Sequence, residues 1–255
     1  MEIRSYWNER AGDASTATTE DVHLRVLERE TLIAQLKRLG CNENSRVIDL
    51  GCGDGQTIFA IAKAFGCEAH GQDYAEGMVE LAKRRLKEHP VAKVSFSVGD
   101  IRKSGETFAG QTFDFVLTDR VLINLEKTDI QFDTITQIAK LVHKGGYYLC
   151  IENFVEGNDR LNAIRETFGL PPIQIRWHNH FFNEADFEAH ARKHFAGIER
   201  IDFSSAYYLA TRVVYSKMCA IENLKIDYLH PVHELSAKLP ATGNFSPIVL
   251  YVLQR

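Results

Sequence analysis

Residues 46–55, RVIDLGCGDG, constrain the fold of this chain more than any other stretch. An apolar run ends at Leu50, and the turn that follows it holds Gly51, Gly53 and Gly55 before a helical pattern opens. Glycine has no Cβ and tolerates positive φ, so a buried strand that enters a helix through such a turn lets backbone approach a ligand closely. The stretch therefore predicts a cofactor site at the carboxyl end of a parallel strand.

The spacing of these glycines narrows the choice of ligand. The dinucleotide fingerprint GxGxxG places its third glycine three positions after its second and seats a pyrophosphate on the helix N-terminus. Here the pattern is GxGxG, with Cys52 and Asp54 between the glycines and Asp49 just before the turn. The two carboxylates would repel a pyrophosphate but suit an ammonium group. The turn is therefore interpreted as a site for a zwitterion.

Two further apolar runs end in acids. Residues 68–74 carry Asp73, which lies about 20 residues beyond the turn, where an acid at the tip of the second strand can accept both ribose hydroxyls. Residues 93–98 are followed by Asp100 and Ile101. Three strand ends in succession thus carry residues suited to a cofactor that contains a nucleoside.

VIDLGCGDG and these strand ends resemble motif I and its continuation in the class I S-adenosylmethionine-dependent methyltransferases. The resemblance implies a Rossmann-like α/β fold, with a mostly parallel seven-stranded sheet, an antiparallel last strand and a helical cap. It implies S-adenosyl-L-methionine as cofactor, with Asp100 at the adenine amino group, an apolar side chain on one ring face and Tyr74 over the other. The predicted cofactor-binding residues are Tyr6, Asp49, Gly51, Cys52, Gly53, Asp54, Gly55, Asp73, Tyr74, Asp100, Ile101, Asp119 and Arg120.

Composition excludes several classes of partner. A net charge of -4 over 255 residues, with no long basic block, gives no electrostatic footprint for nucleic acid. No stretch of 18 apolar residues and no apolar leader occurs, so neither a membrane anchor nor export is expected. The five cysteines are widely spaced, with no CxxC pair, which favours free thiols in a reducing compartment. The sequence predicts a cytoplasmic protein.

The chain is expected to form a single methyltransferase domain over residues 1–255. Residues 1–20 resemble the N-terminal lid of small-molecule methyltransferases, with Tyr6 available to touch the cofactor; the alternative is an aromatic pair that docks a loose terminus. Residues 154–196 and 207–244 are expected to be cap insertions that bind substrate. Residues 20–39 and 129–143 have helical patterns, and a paired glycine turn is expected to end the second of these helices.

The fourth strand is expected over residues 113–118, and Asp119 and Arg120 follow at its carboxyl end, where ligands of open parallel sheets bind. Arg120 follows this apolar strand directly, so it can pair with Asp119, pair with an acid of the turn, or bind an anionic substrate group. Members of the family that the chain resembles often carry a histidine where this chain has Asn124, so the identity of the proton acceptor stays open. Asn124 is predicted to contact substrate.

The acceptor pocket is expected in the segment RWHNHFF, residues 176–182. His178 and His180 are candidate proton acceptors, as is Glu152, which closes the fifth strand but could equally cap the next helix. Two histidines that alternate in an extended segment project to one side, yet no third and fourth ligand stand at readable spacing, so no metal is predicted. The predicted substrate-binding residues are Asn124, Trp177, Tyr207, Tyr208 and Arg212; for the last three, ordinary packing is the alternative.

The leading hypothesis is methyl transfer from S-adenosylmethionine to oxygen or nitrogen of a small molecule, of the secondary-metabolite or sugar type. The displacement starts from an activated leaving group, so positioning can supply most of the catalysis. One alternative is a protein that binds S-adenosylmethionine without catalysis. A less favoured alternative is an NAD(P)-dependent oxidoreductase, against which the GxGxG spacing and Asp54 both count.

Overall fold

The computed structural model describes residues 3–13 and 19–255. Its strands are β1 (Arg46–Leu50), β2 (Glu68–Asp73), β3 (Val94–Val98), β4 (Phe113–Asp119), β5 (Val142–Asn153), β6 (Gly197–Ile201) and β7 (Ile248–Gln254). They form one sheet in the order β3-β2-β1-β4-β5-β7-β6. β1 to β5 pair in parallel, whereas β7 runs antiparallel to both β5 and β6. The predicted seven-stranded sheet with an antiparallel last strand is therefore confirmed.

Helices connect the strands and cover both faces of the sheet. In chain order they are α1 (Ile3–Arg10), α2 (Val22–Arg38), α3 (Gln56–Phe65), α4 (Glu76–Glu88), α5 (Ser104–Thr107), α6 (Thr128–Leu141), α7 (Val155–Thr167), α8 (Glu184–Ala191), α9 (Ser205–Tyr208), α10 (Ser216–Glu222) and α11 (Pro231–Ser236). Short 3₁₀ turns follow β3 (Ile101–Lys103) and β4 (Leu122–Asn124), and a π-helical segment (Leu209–Tyr215) joins α9 to α10. Within the described ranges, no helix combines the length and apolar composition that a bilayer crossing requires.

Alternating side chains of the central strands enter two separate cores. Leu149 and Ile151 of β5 pack on the side that α2, α3, α4 and α7 cover, while Tyr148 and Cys150 face α6 and α8. Strands that are buried on both faces are typical of parallel sheets between helical layers. This arrangement leaves the carboxyl ends of the parallel strands as the open edge of the fold.

The turn between β1 and α3 can be built only from glycine at its ends. Gly51 and Gly55 have φ of +87° and +79°, in the left-handed region. A Cβ on Gly51 would lie 2.3 Å from Val121, and one on Gly55 would lie 2.7 Å from the ring of Phe96. The amide of Gly51 donates to the carbonyl of Gln72 over 2.6 Å, which ties the turn to β2.

One predicted boundary was wrong. The second helix ends at Leu141 rather than His143, and residues 144–146 lie inside β5 instead of forming a turn before it. The register against β4 shifts between Val142 and Tyr147, which marks a bulge. The amide of Gly145 donates to the carbonyl of Arg255 over 2.8 Å, so pairing with the far end of the chain keeps this stretch in the sheet.

The predicted lid is described only in part, because residues 1–2 and 14–18 lie outside the described residues. Its helix α1 docks on α4, where the amide of Gly77 donates to Asn8 Oδ1 over 3.0 Å. Trp7 packs against the buried cluster of Ala75, Met78 and Leu81. The helix predicted over residues 20–39 is confirmed as α2, and Asp21 caps it by accepting from the amide of Leu24 over 3.1 Å.

Candidate active site

The carboxyl ends of the parallel strands border a cavity of about 830 Å³. It is continuous from the β1–α3 turn to the segment between α7 and α8 and to the helical segment after β6. The predicted site residues that line it are Gly51, Gly53, Asp73, Tyr74, Asp100, Ile101, Asp119, Arg120, Asn124, Trp177, His178, His180, Tyr208 and Arg212. Those that do not line it are Tyr6, Asp49, Cys52, Asp54, Gly55, Glu152 and Tyr207.

Asp73 holds the glycine turn while facing the cavity. One carboxylate oxygen accepts the amide of Gly53 over 2.8 Å, and the other accepts the amide of Ala75 over 2.9 Å. Burial raises the pKa of Asp73, although these backbone donors oppose the shift. Each oxygen accepts one backbone hydrogen bond and keeps a further lone pair for a ligand.

At the end of β3, Asp100 pairs with Arg102, a cavity residue that the sequence analysis did not single out. Arg102 Nη2 lies 2.6 Å from the carboxylate, and its backbone amide donates to it over 3.0 Å. Burial raises the pKa of Asp100, but the hydrogen bonds and charge of Arg102 outweigh it and hold the pKa below its ordinary value. Nearby, the guanidinium of Arg4 lies 5.0 Å from the ring centre of Tyr74, which connects α1 to this end of the cavity.

Two acids of the turn region lie behind the cavity wall. Asp54 pairs with Arg85 of α4 and accepts from Gln56 Nε2 over 2.8 Å, so its charge is balanced within the chain. Asp49 is fully buried, and its Oδ1 has no hydrogen-bond partner in the described part of the chain. Burial raises the pKa of Asp49 to about 7, with the charge of Arg25 opposing the rise.

A buried ionic cluster joins α2 to the tip of β4. Arg25 pairs with Asp119 and lies 3.6 Å from Glu28. Arg120 Nη2 donates to Glu28 Oε2 over 3.0 Å, and Arg120 Nε lies 2.8 Å from Glu28 Oε1. Burial raises the pKa of Glu28, and Arg120 opposes that shift. Of the pairings open for Arg120, the structure shows one to an acid of α2, with Asp119 farther away at 3.8 Å.

A second polar cluster ties the start of α2 to the segment after β6. Tyr207 donates to Asp21 Oδ1 over 2.5 Å and lies 3.0 Å from His233 Nδ1. Arg212 pairs with the other oxygen of Asp21. Burial would raise the pKa of Asp21, but Arg212 and the hydrogen bonds hold it below its ordinary value. Tyr207 therefore acts in the packing of this segment, whereas Arg212 also reaches the cavity.

Glu152 organises the turn that follows β4. Its fully buried carboxylate accepts the amides of Val121, Leu122 and Ile123 over 3.1, 2.9 and 3.3 Å. Burial raises the pKa of Glu152 to about 8, with these backbone donors opposing. The same turn presents Asn124, whose Oδ1 has no hydrogen-bond partner among the described residues. Glu152 thus supports a wall of the cavity from behind.

The two candidate histidines differ in their surroundings. His180 Nε2 lies 2.9 Å from Thr128 Oγ1, and its backbone amide donates to Ile123 over 2.6 Å. The ring of His178 lies 4.9 Å from that of Tyr6, and burial, aided by the charges of Arg176 and Arg10, lowers its pKa. The chain turns here, because the amide of Asn179 donates to the carbonyl of Arg176 over 2.9 Å.

No group of three or more histidine, cysteine or acidic side chains suited to hold a metal ion occurs in the ranges that the structure describes. The five cysteines are buried and unpaired.

Comparison with known proteins decides the family. The profile of the family described as "Methyltransferase domain" matches residues 41–201, which is more than half of the chain. The chain belongs to the methyltransferase domain family. This confirms the class I resemblance that was predicted from motif I and the following strand ends.

The relatives of this methyltransferase-domain protein cover only part of its length. It is 29% identical over 173 residues to the geranyl diphosphate 2-C-methyltransferase of Saccharopolyspora erythraea, covering 65% of this chain and 54% of that one. It is 35% identical over 98 residues to the magnesium-protoporphyrin O-methyltransferase of Rhodobacter capsulatus, covering 38% and 41%. The chain thus spans about half the length of the curated relatives that it matches.

A solved structure covers nearly the whole methyltransferase-domain protein. The magnesium protoporphyrin IX methyltransferase of Synechocystis PCC 6803, with bound S-adenosylhomocysteine, matches with a TM-score of 0.62 and 18% identity over 99% of this chain and 98% of that one. The same enzyme with bound S-adenosylmethionine matches with a TM-score of 0.59. At this identity the likeness shows the fold.

We did not predict Arg25 of α2 or Asn158 of α7, which line the cavity, or Glu28, which does not line it but pairs with Arg120. Arg25 and Glu28 stand three residues apart on the buried face of α2, between Leu24 and Leu32. Charged residues are almost never fully buried unless they are paired, so two of opposite sign on an apolar helix face were the available signal. Asn158 on α7 had no such signal, because a helical asparagine is more often exposed.

The Arg120–Glu28 pair generates a stability prediction. Arg120→Met leaves the fully buried Glu28 carboxylate without its two-point partner, and we expect the free energy of unfolding to fall by about 3–5 kcal/mol. The measurement is urea-induced unfolding followed by circular dichroism. Arg38→Met is the matched control, because Arg38 pairs with Glu199 at the surface and such pairs contribute about 1 kcal/mol or less. Equal losses in both variants would contradict the assignment.

Proposed function

We propose that this protein transfers a methyl group from S-adenosyl-L-methionine to oxygen or nitrogen of a small-molecule acceptor. The observation that carries the proposal is the single cavity that runs from the glycine turn and Asp73 to His178 and Tyr208. A shared cavity lets a cofactor and an acceptor meet in one geometry, which is what a displacement between two bound molecules requires. When bound, the cofactor supplies an activated methyl group.

The residues at the strand ends fit this cofactor. Gly51 and Gly53 present backbone without side chains, since a Cβ on Gly51 would collide with Val121. The Asp73 carboxylate lines the cavity and can accept further hydrogen bonds, as a ribose diol requires. Arg25 and the acids around it bring both signs of charge to the same end, as a zwitterionic amino acid moiety needs. The adenine would lie beside Ile101 and Tyr74.

The pKa of His178 and the residues that line the cavity indicate how the protein binds and deprotonates the acceptor. His178 has a lowered pKa and is therefore neutral at pH 7, as a proton acceptor must be. We assign His178 as the base that accepts the proton lost by the acceptor atom when that atom bonds to the methyl carbon. The acceptor wall is assigned to Asn124, Trp177, His180, Tyr208 and Arg212. Glu152 and Tyr207 are assigned positioning roles.

The cofactor assignment predicts the effect of Asp73→Asn. This change keeps the size of the side chain but removes the charge that strengthens hydrogen bonds to the ribose hydroxyls. Hydrogen bonds to a charged group contribute about 1.5–3 kcal/mol, so we expect the affinity for S-adenosylhomocysteine to fall roughly 10- to 150-fold. Isothermal titration calorimetry measures it.

Glu88→Gln is the control for that titration, because Glu88 is an exposed acid at the far end of α4. It should bind S-adenosylhomocysteine as the unaltered protein does. An Asp73→Asn variant that also binds with unchanged affinity would remove Asp73 from the cofactor site.

The base assignment predicts a pH profile. Because the pKa of His178 is held below 6.5, its neutral form persists at pH 7, and the methyl-transfer rate should decline only as the pH falls below 6.5. His178→Gln should lower kcat by roughly 10²- to 10⁴-fold and abolish this acid limb. Initial rates between pH 5 and 8, followed with labelled methyl donor, test it.

His180→Gln discriminates between the two histidines. It should retain the acid limb, since His180 Nε2 is engaged by Thr128. Loss of the limb in His180→Gln, with its retention in His178→Gln, would assign the proton transfer to the other histidine.

A further inference from the structure

Two buried asparagines at the junction of β5 and α7 face the cavity without a protein partner. Asn153 is 7% exposed and Asn158 is 6% exposed, and both line the cavity. Asn153 Oδ1 is enclosed and accepts no hydrogen bond. Across residues 3–13 and 19–255, no side-chain hydrogen bond joins either amide to another residue. Buried carboxamides without partners are costly, so their retention at a cavity wall indicates a ligand.

The backbone at this junction places both amides beside the same short stretch of chain. Asn153 pairs with Ile248 in the sheet, and the amide of Phe154 donates to the carbonyl of Pro247 over 2.8 Å. A Cβ on Gly157 would lie 1.9 Å from the carbonyl oxygen of Ser246, so α7 can approach this closely only with glycine there. The close approach brings the next residue, Asn158, to the wall that Pro247 and Ile248 form.

The charged groups around the buried end of the cavity are already balanced. Arg212 pairs with Asp21, Arg120 with Glu28, and Arg25 with Asp119. Glu156 in the first turn of α7 adds a negative charge near the helix N-terminus, which disfavours an anion there. Arg176 and Glu126 also line the cavity but are exposed, so they belong to its mouth. Arg25 and the acids around it are assigned to the zwitterionic part of the cofactor, so a charged acceptor would find no unpaired counter-charge beside the two asparagines.

We propose that Asn153 and Asn158 form a subsite for an uncharged acceptor that carries hydroxyl groups, such as a phenol or a sugar. A carboxamide both donates and accepts, so two of them match a neutral hydroxyl or carbonyl rather than a phosphate. Ile173, Pro247 and Ile248 supply the apolar surface around it. The assignment rests on the proposed methyl transfer and names the class of substrate for the same cavity.

The test measures transfer of labelled methyl groups to four acceptors: quercetin, methyl α-glucoside, geranyl diphosphate and phosphoethanolamine. We expect transfer to one of the two uncharged molecules and none to the two charged ones. Quercetin as sole acceptor would identify the phenol class, and the glucoside the sugar class. Transfer to a charged molecule alone, or to none of the four while S-adenosylhomocysteine still binds, would overturn the subsite.

Variants locate the effect at the asparagines. With the uncharged acceptor, Asn158→Ala should raise KM at least tenfold, and Asn153→Ala should do the same, while the affinity for S-adenosylhomocysteine stays unchanged in both. That unchanged affinity shows that the variants are folded. Asp159→Asn, an exposed neighbour on α7, is the matched control and should leave KM unaltered.

Each outcome of the variant experiment decides one assignment. An unchanged KM in both asparagine variants would overturn the subsite and leave the proposed methyl transfer standing. Failure of the unaltered protein to bind S-adenosylhomocysteine would overturn the proposed function, and the subsite with it.

Discussion

The pairing of α2 with the tip of β4 is the constraint on which the site depends. Arg25 and Glu28 enter the protein interior only because Asp119 and Arg120 meet them there, and either half alone would leave buried charge unpaired. Arg120 adopts a positive φ of 55° at this point, which is uncommon for a residue other than glycine. The cluster fixes α2 across the open edge of the sheet. The cavity is consequently bounded by α2 on one side and by the carboxyl ends of the strands on the other.

Two further acidic side chains position the other walls of the cavity. Asp21, at the start of α2, binds Arg212 and Tyr207, so the same helix anchors the segment after β6 that closes the cavity on one side. On the other side, Glu152 gathers three amides of the turn after β4 and so positions Asn124. Buried acidic side chains thus hold the walls of the cavity in place, while Asn153 and Asn158 face the cavity with carboxamides that can bind a ligand.

The sequence was informative where function is local and silent where it depends on packing. The glycine turn and Asp73 could be predicted because each sits at a strand end within one contiguous motif. The paired glycines at 145–146 led to the wrong prediction of a turn, because their conformation is set by pairing with Arg255 at the other end of the chain. Asn158 could not be found either, because only the close approach at Gly157 turns a helical asparagine into part of a wall.

The most direct test of the account is calorimetric titration of the purified protein with S-adenosylmethionine, S-adenosylhomocysteine and NADH. The GxGxG turn and the acids around it predict micromolar binding of the first two and none of NADH. Such a result would establish the ligand class on which every assignment in the cavity relies. Binding of NADH alone would contradict the interpretation of residues 46–55 and the methyl-transfer function with it.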